Sequence, residues 1–364
     1  MASRHKTRSF LRLAQAPQSR GKRPGLLEVA ALAGVSHITV SRVIHGHPSV
    51  RPATRDRILT AMRDLGYQPN SAARALVTGK SQMVGVVCYN TALYGPAAAL
   101  LGLERAAAEH GYFVTMIALE SLDRHAMEGA IARLRRQAVA GVVLVSPHAA
   151  MSEVFEHLPK DIPTVAIWGY PGTPIPVVAS GEELAARQAT QHLLDLGHRS
   201  VWHLAGPEGR IGAEQRLRGW RRTLEEARLD PPPHLIGDWS AQSGYEAGRI
   251  LAADSSITAV FVGNDQMALG VLRAVQEAGR NVPHDISVVG FDDIPDAAYY
   301  SPPLTTIRQH FTELGQESML VLLRQLKAGI FTDSRDIVLP AELIVRESSA
   351  PPKLKRPASY SRRR

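Results

Sequence analysis

The chain has 364 residues, 45% of them apolar, 21% charged and only 5% aromatic, enough length and apolar content for two or three compact units with aliphatic cores. No run of 18 apolar residues occurs, and the start, Met1-Ala2-Ser3-Arg4-His5-Lys6, lacks the apolar stretch of a secretory signal; the expectation is a cytoplasmic protein with no membrane partner. A single cysteine, Cys88, rules out an internal disulfide and a four-cysteine zinc site, and reads as a small buried hydrophobe in a strand.

The net charge of +8 is unevenly placed. Residues 1–24 carry seven Lys/Arg and no acid, and residues 350–364 carry six and no acid; both are expected to be disordered basic segments. Residues 25–80 hold a net +4 and residues 81–349 a net −9. An acidic body with basic extremities repels nucleic acid except at those ends, so a duplex is expected to meet the N-terminal region.

Between Gly25 and Tyr67 the apolar positions keep helical spacing over three short segments. Val29, Leu32 and Ala33 are predicted to face inward from the first, which Gly34 ends. Ser36 offers an N-cap oxygen to the second, whose inward stripe is Val40, Val43 and Ile44. Gly46 ends that helix, Pro52 suits the first turn of a third, and Ile58, Met62 and Leu65 are its packing face up to Gly66. Ala30, Gly34 and Val40 sit where a helix-turn-helix needs a small crossing residue, a glycine turn and a branched core residue. The second helix then presents His37, Ile38, Ser41 and Arg42 as a recognition helix does. Arg42 is suited to a bidentate guanine contact, His37 to a base or phosphate, and Ile38 to a thymine methyl. Thr39, Ser41 and Thr54 are suited to phosphates, which set register, and Ser36 is placed at the DNA beside its capping role.

Residues 70–80 read as a linker with one or two helical turns. From Met83 onward, short β-branched runs alternate with amphipathic helices, the pattern of βαβ units and parallel sheets. Strands are predicted at 84–88, 112–117, 141–145, 164–167, 200–204, 259–262 and 287–289, and helices at 97–110, 125–137, 182–196, 213–226, 242–252 and 266–278. The fold class expected is therefore an all-α helix-turn-helix head (25–69), a linker (70–80) and an α/β body (81–349).

The run Gly34-Val35-Ser36, Thr39-Val40-Ser41-Arg42-Val43, then Gly66-Tyr67 with Pro69-Asn70 resembles the N-terminus of the LacI/GalR family of bacterial repressors. That resemblance implies a dimer on a palindromic operator and a cytoplasmic, nucleoid-associated protein. It also implies a hinge helix after Pro69-Asn70 that orders only on DNA, with Asn70, Arg74 and Leu76 at the duplex and Leu76 wedged in the minor groove. Gly25, Arg51 and His45 depart from common family residues; Arg51 removes a helix cap and adds a possible phosphate contact, and His45 is placed at the DNA.

Residues 81–349 resemble the family's periplasmic-binding-protein-like effector domain: two parallel-sheet subdomains, about 81–180 with 308–338 and about 181–307 with 339–349, with a ligand cleft between them. The resemblance places Arg216 on ligand hydroxyls or carboxylates, Asp292 on sugar hydroxyls and Asn264 in the cleft. In a sugar-responsive member of the family, further matches put Trp239 against a sugar face, Leu93, Gly95 and Pro96 on the apolar wall, and Gln266, Gln309 and Phe311 at the cleft and subdomain boundary. A galactoside-like sugar is the ligand this implies. Trp168 stands where that member has an aspartate, and Gly212 and Ala97 replace serines, so three polar contacts are missing. The alternatives are a non-sugar effector or a purine-type corepressor and, further off, a transport binding protein or an enzyme. Dinucleotide, phosphate-loop, serine-hydrolase and zinc-protease motifs are absent from the sequence, and the pair His45 and His47 lacks further metal ligands, so neither cofactor nor metal nor catalysis is expected.

Overall fold

The structure, a computed structural model, describes residues 24–44, 47–67, 81–89, 91–121, 123–145, 148–149, 155, 158–170, 172–329 and 335–353. His45, Gly46, Asn70, Arg74 and Leu76, the first 23 residues and the tail from 354 lie outside them. Two compact units result, one up to Lys80 and one from Ser81.

The first unit has three helices among its described residues, α1 (Leu26–Ala33), α2 (His37–Ile44) and α3 (Pro52–Leu65). Gly34 ends α1 at φ 61°, in the left-handed region that glycine enters without a Cβ clash. Val29, Ala30, Ala33, Val40, Val43, Ile58 and Ala61 form the core, with Ile44, Met62 and Leu65 packed at its edge. Leu32, expected inside, is 54% exposed. In an eight-residue helix the inward stripe is already filled by Val29, Ala30 and Ala33, and Leu32 falls to the side of it.

The second unit is α/β. One six-stranded sheet runs β11-β5-β4-β3-β1-β2, from β1 (Met83–Cys88), β2 (Phe113–Ala118), β3 (Gly141–Val145), β4 (Thr164–Ile167), β5 (Val177–Ser180) and β11 (Ile337–Leu339). Its pairings are all parallel. The helices α4 (Tyr94–Glu109), α5 (Arg124–Arg136) and α10 (Phe311–Ala328) cover it. The apolar layer with α4 and α10 lies on one side, through Leu103, Val143, Ile167 and Leu314, and the layer with α5 on the other, through Met127, Leu134 and Leu144.

A four-stranded parallel sheet, β7-β6-β8-β9, makes the second lobe: β6 (Trp202–Ala205), β7 (Leu235–Ile236), β8 (Ala259–Val262) and β9 (Ser287–Val289). Around it lie α6 (Glu182–Asp195), α7 (Ile211–Glu226), α8 (Ala241–Ala253) and α9 (Asp265–Glu277). An antiparallel pair, β10 (Thr306–Arg308) with β12 (Glu342–Ile344), completes the lobe. The chain therefore passes between lobes at 180–182, 308–311 and 339–342. The basic tail expected from residue 350 leaves later: Ala350 N donates to Ser287 Oγ at 3.0 Å and Lys353 pairs with Asp285 at 2.7 Å.

Strands β5, β7, β10, β11 and β12 and helix α10 were not among the expected elements, and the remaining predicted segments lie within three residues of the observed ends. Strand 112–117 starts one residue later, at Phe113, and strand 200–204 two later, at Trp202.

Candidate functional site

In the head, Ser36 caps α2: Thr39 N donates to Ser36 Oγ at 3.2 Å, and the two hydroxyls lie 2.9 Å apart. The cap leaves the first turn of α2 pointing outward, with His37 and Arg42 exposed and Ile38 54% exposed. Thr39, Ser41 and Thr54 are half-buried. Arg51 stands before Pro52 without a side-chain cap bond, as the departure there implied. His47 Nδ1 is 2.8 Å from Ser49 Oγ, and no metal-binding cluster occurs among the described residues.

In the body, a cavity of about 580 Å³, counted out to its open mouth, lies at the carboxyl ends of the strands between the lobes. The site lies where ligands of open parallel sheets bind. The cleft collects Leu93, Gly95, Pro96, Trp168, Arg216, Trp239, Asn264, Gln266, Asp292 and Phe311. Gln309 stands behind the wall, donating from Nε2 to Asp292 Oδ1 at 2.8 Å. Tyr94, Glu182, Arg210 and Gly212 also line it. Of these, Tyr94, Glu182 and Arg210 were not anticipated.

The first lobe supplies the apolar half. Phe311, at the start of α10, takes Trp168 and Tyr94 edge-on at 6.2 Å and 5.8 Å. Gly95 lets this happen, because a Cβ there would lie 2.9 Å from the Phe311 ring.

The second lobe supplies the polar half around Arg216, which α7 carries into the floor at 7% exposure. Arg216 Nε donates to Glu182 Oε2 at 2.6 Å, Nη1 donates to the Gly263 carbonyl, and Nη2 donates to Asp292 Oδ1 at 3.5 Å. The guanidinium is also sandwiched, 3.9 Å from the Phe291 ring centre and 5.3 Å from that of Trp239. Glu182 is thus the residue that neutralises the floor. Its position, one residue past the first crossover, carried no motif in the sequence; only the fold brings it to Arg216.

Asp292 has a side chain 12% exposed. Burial pushes its carboxyl up to about 6, with Glu182 adding to the rise, while Arg216 and Gln309 oppose it. Behind it, Asp265 is fully buried and accepts from Thr306 Oγ1 at 2.6 Å and from Ile294 N at 2.9 Å; burial holds its carboxyl well above the ordinary value. Asn264 caps α9, accepting from Met267 N at 2.9 Å, and its amide donates to the Trp239 carbonyl at 3.1 Å and to Gln266 Oε1 at 2.8 Å. The indole of Trp239 is half-buried and leans on Gly206, where a Cβ would come within 2.0 Å of the ring.

Three lining residues stand in the left-handed backbone region, Trp168 at φ 62°, Trp239 at 75° and Asp292 at 109°. For non-glycine residues such conformations cost of order 1–3 kcal/mol and concentrate at ligand clamps.

Together these features define a chain with a helix-turn-helix head and a two-lobed, cleft-bearing α/β body. Residues 25–70 match the model for "Bacterial regulatory proteins, lacI family", and residues 190–349 match that for the periplasmic binding protein-like domain. The lactose operon repressor of Escherichia coli strain K12 is 36% identical over 329 residues, covering 90% of this chain and 91% of the relative. The crystal structure of the lac repressor dimer bound to operator and the anti-inducer ONPF superposes with a TM-score of 0.83 at 35% identity, over 90% of this chain and all of the other. The structure of a transcriptional regulator CelR–cellobiose complex superposes at 0.65 with 32% identity, again over 90% and 100%. The chain belongs to the LacI family and is a transcriptional repressor of that family. No single helix among the described residues is long and apolar enough to cross a membrane.

Proposed function

We propose that the protein acts as a dimer on a palindromic DNA operator and is released from it by a small sugar bound between the lobes of the body. The observation that carries the ligand class is the cleft's two-sided chemistry. The Trp239 indole, backed by Gly206 and fixed through Asn264, faces a pocket whose floor holds Asp292 and Gln266. A flat aromatic suits the C–H face of a sugar ring, and the carboxylate and amides suit its hydroxyls. Galactosides are the favoured members on the matches at Trp239, Leu93 and Pro96, although Trp168 and Gly212 narrow the set of hydroxyls that find partners.

For the head, exposed His37, Ile38 and Arg42 on a capped helix support base reading in the major groove, with Ser36, Thr39, Ser41 and Thr54 on phosphates. His45, Asn70, Arg74 and Leu76 stay assigned to DNA by family resemblance alone. A difference in sugar affinity between two lobe arrangements is what couples the cleft to the head.

The test is selection of binding sequences from a random duplex pool by the full chain. An inverted repeat should emerge. Arg42→Ala, which removes a contact of about 1–3 kcal/mol, should relax selection at one position of each half-site. Recovery of the same sequence preference from Arg42→Ala would overturn the reading of α2, and the absence of an inverted repeat would overturn the dimer.

A further inference from the structure

The two arginines that line the cleft differ in one respect. Arg216 spends its guanidinium on Glu182, Asp292 and the Gly263 carbonyl. Arg210, at the N-cap of α7, has no carboxylate within ion-pair distance among the described residues, and its Nη1 is buried with no hydrogen-bond partner. The ring of Tyr89 lies 5.3 Å from the guanidinium carbon, at the carboxyl end of β1, and His148 bridges the Arg210 backbone. Across the mouth, the 209–210 backbone is tied to the other lobe, Ala149 N donating to the Gly209 carbonyl at 2.9 Å.

A partly buried guanidinium with an unsatisfied nitrogen is costly unless a partner arrives. The acids nearby are already engaged: Glu182 and Asp292 on Arg216, Glu214 on the Tyr170 hydroxyl, and Asp293 on Arg308 and Arg346. The open side of Arg210 faces the cleft. Next to it, Gly212 also lines the cleft, and no side chain caps the N-terminus of the 16-residue α7. A fixed positive charge and an uncapped helix start form a place for negative charge at Arg210, while at Gly212 the Glu182 carboxylate already stands, 3.0 Å from where a Cβ would lie.

We infer that the effector is an acidic sugar, one whose carboxylate or phosphate pairs with Arg210 while its ring lies against Trp239. The inference rests on the sugar reading of the cleft and narrows it. A neutral sugar fills the aromatic half and leaves the Arg210 guanidinium without a counter-charge, whereas an anionic substituent supplies one and gains charge-assisted bonds. Carboxylate and phosphate share this chemistry. The fork of the guanidinium donates to either.

The experiment is ligand-induced thermal shift and tryptophan-fluorescence titration of the full chain. The panel contains galactose, glucose, lactose and cellobiose beside galacturonate, glucuronate, galactose 6-phosphate and glucose 6-phosphate. At least one acidic member should bind ten-fold or more tightly than the neutral sugar of the same ring. Its affinity should fall as salt rises. Arg210→Ser should weaken that member by about 10- to 100-fold and so remove most of its advantage over the neutral sugar of the same ring, and Arg210→Lys, which keeps the charge without the fork, should retain part of the preference. A uronate hit identifies a carboxylate and a sugar-phosphate hit a phosphate, and either supports the inference. Neutral sugars binding as tightly as their acidic counterparts, or an acidic preference that survives Arg210→Ser, overturns the inference and leaves the sugar reading standing. No binding by any member overturns the sugar reading and the inference with it.

Discussion

Replacing Glu182 with Gln tests what holds the cleft floor together. The wild-type pair is closed at 2.6 Å with side chains only 8% and 4% exposed. Breaking one partner of such a pair typically costs about 3–5 kcal/mol, because the other charge stays buried. Here the loss should be smaller. Glutamine keeps the volume and an accepting oxygen, and Arg216 keeps Asp292 at 3.5 Å and the Gly263 carbonyl. We therefore expect roughly 2–3 kcal/mol, which for a body of this size is a fall in Tm of about 4–5 °C at neutral pH. The double variant Glu182→Leu, Arg216→Met removes both charges and should recover part of that loss, since replacing a buried pair with apolar groups of similar size is often close to neutral, while Asp292 loses Arg216 and keeps Gln309. Thermal unfolding followed by circular dichroism reads both. A Glu182→Gln protein with wild-type Tm, or a double variant that melts lower than either single one, would refute the ion pair as the organiser of the floor.

Three further outcomes follow from the same geometry. Asp292 has a folded-state pKa of about 6 against an ordinary 3.8, so the folded protein holds the extra proton between those values. Its contribution is fully present below pH ~4 and is lost as pH rises through about 6, amounting to no more than about 3 kcal/mol. The Tm of Asp292→Asn relative to wild type should accordingly climb between pH 4.5 and 7, and a flat difference would count against the burial of that carboxyl. Gly206→Ala places a methyl where the Trp239 ring now lies, 2.0 Å away; the ring must move, so ligand-induced stabilisation should vanish while the apo protein loses about 1–3 kcal/mol. Retained ligand binding would show that the indole is not a wall of the site. Ser36→Ala removes the α2 cap, worth about 1 kcal/mol, and amide exchange at Thr39 and Val40 should quicken several-fold with the body unaffected.

The sequence made the buried parallel strands plain, and the reason is physical. Strands covered on both faces are near-continuous apolar runs, and Gly141–Val145, Thr164–Ile167 and Ala259–Val262 have the bounds the pattern predicts. Short strands such as Leu235–Ile236 and Ile337–Leu339 carry too few residues for a period, and their pairing with β6 and β5 is settled only in three dimensions. Helix Phe311–Ala328 has a readable stripe through Leu314, Met319 and Leu322, but it stands outside the βα alternation that organised the prediction. At the cleft, motif matches reached Arg216, Trp239, Asn264 and Asp292. Glu182 and Arg210 lay beyond that reach, because one is a helix-start acid and the other a loop arginine until the fold sets them around α7.

The proposed function requires that what binds the cleft controls what the head holds. The most direct measurement is fluorescence anisotropy of the selected operator duplex, titrated with full-length protein with and without the panel sugar that most stabilises the body. A change in operator affinity of at least about ten-fold, a coupling of roughly 1.4 kcal/mol, is the predicted result, abolished in Gly206→Ala while its ligand-free affinity is kept. Saturating ligand that leaves operator affinity unchanged would contradict it.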